Sequence, residues 1–183
     1  MTVLNTRPGT DEHAPYAATY IDAAARAMSH AIHPTIQDVL HSQVKALHVL
    51  VDGVDQATAL RAYAPGKWSL LESLLHVADT ERVFAYRLLR IARGDVTPLP
   101  GFDQDAWVPL SDANKRSLAD ILTEIKAVRS ATLALVESLD ELSAARTGMS
   151  GGNPVSARAL AWMIAGHFAH HLEITESRYL TGV

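Results

Sequence analysis

Four long stretches of the chain repeat apolar residues at helical spacing, and no stretch shows the strict alternation of a half-buried strand. In the first, Ile36, Val39, Leu40, Val44, Leu47, Leu50 and Val51 recur up to Gly53. In the second, Leu70, Leu74, Val77, Phe84, Leu88 and Ile91 form a stripe that stops before Gly94. The third begins near Ser117 and ends near Leu139 or Leu142. The fourth follows "GGNP", where Asn153 suits an N-cap and Pro154 a first helical position, and runs to about Leu180. The predicted helices are therefore 34–53, 69–93, 116–140 and 154–180. Thr35 with Asp38, and Ser69 with Glu72, have the spacing of capping boxes at two of the starts. Each helix has one apolar face to bury, so the predicted fold is all-α, a four-helix bundle with almost no strand.

Two connections, 53–68 and 94–115, are longer than an up-and-down bundle needs, so they must cross one of its ends or cover something. Residues 1–15 read as a polar N-terminal tail, 16–33 as a short helix and a loop, and 16–183 as one domain. A chain of 183 residues buries a core without staples. Its formal charge of −4 gives no electrostatic reason for a nucleic-acid or anionic-membrane partner. The absence of cysteine excludes disulfides, thiolate metal sites and a cysteine nucleophile, and fits a reducing cytoplasm. No apolar run approaches the roughly 20 residues that cross a bilayer. The opening "MTVLNTRPGTDEHAPY" lacks the basic-then-apolar layout of a signal peptide.

Chemistry concentrates in "GHFAHHLEI", residues 166–174, which puts three imidazoles on an otherwise apolar helix. His167 and His171 stand at i and i+4, in register with Leu160, Ile164, Ile174 and Arg178 on the inward stripe. Two such rings converge on one metal, or else hydrogen-bond separately to neighbours. A third ligand would come from another helix. His76 is the candidate, on a polar face with Glu72, Ser73, Asp79, Thr80, Val83 and Arg87. His170 lies off the stripe, as a solvated or flanking residue. His41 and His48 read as structural, and His13, His30 and His33 carry no pattern. Glu72 or Asp103 would be hydrogen-bond partners for ligand rings. The loop "PGFDQD" offers Asp103 and Asp105, either of which would orient a ligand histidine or act as a base; Asp103 and Arg87, the latter for a substrate carboxylate, are the candidate catalytic residues. Trp68, Tyr86 and Trp107 are candidate pocket walls. No P-loop, G-x-G-x-x-G, G-x-S-x-G or H-E-x-x-H is present, and paired E-x-x-H motifs for a di-iron centre are missing.

The stretches "APGKWSLLESLLHVADTERVFAYRLLRIARGDVTPLPGFDQDAWV" (64–108) and "MIAGHFAHHLEITESRYL" (163–180) resemble the DinB-like superfamily of metal-binding four-helix bundles. The likeness is closest to the branch with H-x-x-D-T-E-R-x-F-x-Y-R and P-G-F-D motifs. It implies a divalent ion, nickel or zinc, on His76, His167 and His171, and a homodimer. It further implies a metal-dependent enzyme acting on a small molecule, either a hydrolase or an S-transferase using a low-molecular-weight thiol. The alternative is a non-catalytic metal-binding or interaction module. One position departs from the family pattern: Phe168 stands where relatives commonly carry Glu.

Overall fold

The computed structural model describes residues 2–29 and 35–181. Its helices are α1 (Ala18–Ser29), α2 (Ile36–Leu50), α3 (Gln56–Ala59), α4 (Leu70–Ala92), α5 (Gln104–Trp107), α6 (Leu118–Glu137), α7 (Glu141–Ala145) and α8 (Ala157–Ile174). The bundle is α2, α4, α6 and α8. Within it α4 packs on both α6 and α8, and α2 on the same two helices. The periodic stripes explain this directly: Leu40, Leu47, Leu70, Leu74, Leu88, Ile121, Ile125, Leu160 and Ile164 are all buried. Two of the starts are capped at the residues the sequence suggests, and a third is capped by Ser117. Thr35 accepts from the Asp38 amide, Ser69 and Glu72 form a full capping box, and Ser117 accepts from the Asp120 amide. The predicted onset at 34, with His30 and His33, lies outside the described residues.

Two expectations need correcting. The fourth helix starts later than Pro154. Residues Thr147–Ser150 (β1) and Asn153–Ser156 (β2) pair antiparallel around Gly151 and Gly152. Both glycines have positive φ, 57° and 79°, which a two-residue hairpin turn of this kind requires. The helix then begins at Ala157 with Ser156 as its cap.

Secondly, the N-terminal segment is not a free tail. Leu4 is buried, Trp162 Nε1 donates to its carbonyl at 2.9 Å, and the Glu12 carboxylate is paired with Arg158. The short helix expected after it is present as α1, which lies along α8 as closely as any helix in the bundle does. The contact depends on Gly166. A Cβ there would sit 1.7 Å from the Tyr20 carbonyl oxygen, so no other residue fits at this separation. Ile21, Ala24 and Met28 are the buried face of α1.

The end of the fourth helix also differs. After Ile174 the backbone widens into a π turn, Thr175–Tyr179. That turn breaks the 3.6-residue register. Arg178, expected on the inward stripe, is therefore exposed, and Tyr179 is buried instead. Its hydroxyl donates to the Trp68 carbonyl at 2.8 Å, tying the end of the chain to the start of α4.

The centre of the bundle holds a buried ion pair. Arg129 on α6 donates from Nε and Nη2 to the two Glu81 oxygens on α4, each at 2.8 Å. Its Nη1 donates to Leu40 O and to Gln43 Oε1 on α2. Gln43 in turn donates to the Ala165 carbonyl on α8. Four helices thus share one polar network. Among the described residues, no helix is long and apolar enough to cross a membrane.

Candidate metal centre and adjoining cavity

The predicted histidines meet. α4 carries His76, and α8 carries His167 and His171 one turn apart. One ring nitrogen of each lies within 4.8 Å of the others. The Nε2 atoms of His76 and His167 are 3.1 Å apart. The rings are 6 %, 3 % and 8 % exposed, respectively. Tetrahedral zinc with bonds of about 2.0–2.1 Å sets its ligand nitrogens roughly 3.3 Å apart, so the donor set fits a divalent ion.

Two hydroxyls contact the rings. Ser73 Oγ is hydrogen-bonded with His171 Nδ1 at 3.1 Å, and Thr80 Oγ1 lies 3.3 Å from His76 Nδ1 and 3.5 Å from its Nε2. Both lie on the polar face of α4 read from the sequence. Glu72 and Asp103, the expected partners, are engaged elsewhere. Glu72 accepts from the Ser69 amide in the capping box, and Asp103 accepts from the Asp105 and Ala106 amides at the start of α5. Carboxylates at these positions cap helices because the first turn leaves amide donors unpaired.

Aromatic rings close the centre from several sides. Trp68 is 4.8 Å from His76, and Tyr20 is 5.1 Å from His167, between ring centroids. Tyr20 was not identifiable as a neighbour, because nothing in the sequence places α1 against α8. Burial holds all three imidazoles neutral. His76 is pushed down to about 4 by desolvation, opposed by the Asp105 carboxylate. His167 and His171 lie well below the ordinary histidine value, chiefly through desolvation and then through the other rings. Neutral imidazole is the form that ligates a metal.

His170 is half-buried at the edge, 5.9 Å from Tyr20 and 5.6 Å from His171 between ring centroids. It is not one of the converging three. Phe168 belongs to the core, with the Arg129 guanidinium 4.5 Å above its ring. His41 pairs with Glu137, and His48 with the Val44 carbonyl, both structural as expected.

Two cavities adjoin the centre. The larger, about 460 Å³, is lined by His167, His170, Thr80, Phe84, Arg87 and Phe102, among others. The smaller, about 290 Å³, is lined by His76, His171, Trp68, Ser73 and Asp105, among others. The long 94–115 connection forms part of both walls, so it covers the centre. It is fixed by Leu99, which bonds to the Met149 carbonyl and accepts from the Gly151 amide. Of the candidate catalytic residues, Arg87 lines the larger cavity, while Asp103 lines neither and Asp105 faces His76 instead. Trp68 is a cavity wall. Trp107 stacks on Phe102 outside, and Tyr86 is exposed on the far side with Arg90.

A sequence profile of the DinB superfamily matches residues 40–175. A protein of Oceanobacillus iheyensis, proposed to be a metal-dependent hydrolase, is 25 % identical over 153 residues, covering 74 % of this chain and 84 % of that one. The fold is similar to that of YfiT from Bacillus subtilis, described as having an unusual four-helix bundle topology and itself proposed to be a metal-dependent hydrolase. The TM-score is 0.70 at 17 % identity, over 76 % of this chain and 83 % of YfiT.

Proposed function

The chain belongs to the DinB superfamily, and from that membership we propose that it is a metal-dependent hydrolase of a small molecule. His76, His167 and His171 hold one divalent ion, nickel or zinc. The observation that carries this reading is the convergence of three buried imidazole nitrogens with no carboxylate among them. Buried polar nitrogens need partners. Ser73 bonds to His171 Nδ1 and Thr80 lies beside His76, while the Nε2 atoms of His76 and His167 face each other at 3.1 Å, a gap that a shared ion would bridge.

A three-imidazole ion keeps open positions and, when bound, lowers the pKa of water and polarises a substrate oxygen. The protein's own contributions are distinct. Ser73 and Thr80 fix ring orientation, burial keeps the rings unprotonated, and the 94–115 connection shields the centre from bulk water. Of the two loop carboxylates, Asp105, beside His76, is the one placed to act as a base, while Asp103 caps α5. Hydrolysis is preferred to thiol transfer because it is the activity proposed for both relatives. The cavities beside the rings favour an enzyme over a module that only binds metal. The same proposal carries forward a homodimer and a cytoplasmic location from the family resemblance.

Metal analysis of purified single variants tests the centre. His76→Ala, His167→Ala and His171→Ala should each lose most bound metal, while His170→Ala should keep it. Equal loss in His170→Ala would overturn the ligand set.

A further inference from the structure

Two arginines are deeply buried among the described residues, and the protein treats them differently. Arg129 has a carboxylate partner, joined to Glu81 by two parallel N–H···O bonds. Arg87 has none. It is 5 % exposed, and its one hydrogen bond runs from Nη2 to the Pro100 carbonyl at 2.7 Å. A neutral carbonyl satisfies one of five guanidinium N–H donors and none of the charge. Burying a guanidinium without a counter-ion is costly, and the cost is retained where a ligand supplies the anion.

The surroundings define what kind of anion. Arg87 lines the larger cavity together with His167. Its guanidinium carbon is 5.9 Å from the Phe84 ring centroid and 5.4 Å from that of Phe102, so aromatic faces flank the charge. The fork of a guanidinium matches a planar carboxylate with two parallel bonds. Along α4, Arg87 follows His76 by 11 residues, about 16 Å of helix. The Phe84 ring neighbours both ends, 5.9 Å from the Arg87 guanidinium carbon and 6.1 Å from the His167 ring between centroids. The two ends are thus set apart along the cavity, and an acid held at Arg87 would approach the histidines with its far end.

We propose that Arg87 is the specificity residue of the cavity and binds the terminal carboxylate of an elongated substrate. The apolar, preferably aromatic, body of that substrate lies along Phe84 and Phe102, and its reacting end reaches the three histidines. The substrate class rests on the hydrolase reading. The anion site itself does not, and the test separates the two.

Phenylbutyrate and its uncharged amide, phenylbutyramide, are titrated calorimetrically into protein loaded with zinc and into protein stripped by chelator. The acid should bind at least tenfold more tightly than the amide in both forms. Arg87→Gln should abolish that preference, and Arg87→Lys should keep part of it, since lysine retains the charge but not the fork. Three results would overturn the site: no binding of the acid at millimolar concentration, equal binding of acid and amide, or a preference that appears only with zinc and survives Arg87→Gln. The wild-type comparison requires no variant to fold. A preference that persists in protein unable to take up zinc would leave the Arg87 site standing and remove the metal centre.

Discussion

Replacing Gly166 with Ala sets two effects of opposite sign against each other. In a helix interior, Gly→Ala is worth about 1 kcal/mol of stabilisation from backbone propensity alone. Here the new methyl carbon would lie 1.7 Å from the Tyr20 carbonyl oxygen, 2.5 Å from its carbon and 3.0 Å from its Cα. Carbon atoms do not approach below 3.0 Å, so the oxygen must retreat by at least the difference from 1.7 Å. The obstacle is helix backbone, not the end of a flexible side chain, so α1 must move as a unit and the buried contacts of Ile21 and Ala24 loosen with it. Overpacking of this kind costs about 1–3 kcal/mol, and a backbone obstacle belongs at the top of that range. The net expectation is a loss of about 2 kcal/mol, or roughly 4–8 °C in melting temperature for a chain of this size. Thermal denaturation followed by circular dichroism measures it. Because Tyr20 rests against His167, zinc affinity should fall as well, by severalfold. An unchanged or raised melting temperature in Gly166→Ala would refute the argument that α1 is seated by this close approach.

The buried pair makes a second stability prediction. Glu81→Gln or Arg129→Met alone should cost about 3–5 kcal/mol in urea denaturation, because each leaves a buried charge unpaired. The double variant Glu81→Gln/Arg129→Met should be less destabilised than the two single losses summed, and additive losses would show that the pair does not act as a unit. The third concerns pH. Hydrogen bonding from Arg158 lowers Glu12 to about 2 from an ordinary 4.5. A carboxylate with a depressed folded pKa stabilises above its unfolded value and loses that contribution as pH falls through the folded one. The stability gap between wild type and Glu12→Gln should be full at neutral pH and shrink from about pH 4.5 towards 2, and a gap that widens on acidification would contradict the pairing.

What the sequence made legible was whatever repeats locally. Apolar residues at three and four, with Ser or Thr ahead of them, located α2, α4, α6 and most of α8, because amphipathicity and capping are properties of adjacent residues. The i, i+4 pair of His167 and His171 and the polar face around His76 were legible for the same reason. What stayed hidden depends on distant partners. Asn153 and Pro154 read as a helix start, yet Gly151 and Gly152 turn the chain into a hairpin and pass the cap to Ser156. Glu72 and Asp103 were plausible ring partners, but each is consumed by its own helix start, and the hydroxyls of Ser73 and Thr80 contact His171 and His76 instead. Arg129 and Glu81 are 48 residues apart, and nothing in either neighbourhood points to the other.

The three proposed ligand positions come from α4 and α8 alone, so the gap between their nitrogens depends on how far these two helices slide along each other. A slip of a single residue moves a side chain about 1.5 Å along the axis. That is about half the 3.1 Å separating His76 Nε2 from His167 Nε2. The bond from the Tyr179 hydroxyl to the Trp68 carbonyl joins the far end of the last helical segment to the cap of α4. It acts as an index pin on a vernier: the two scales can flex, but their zero marks stay aligned, and the aperture between the rings keeps the width of a single ion.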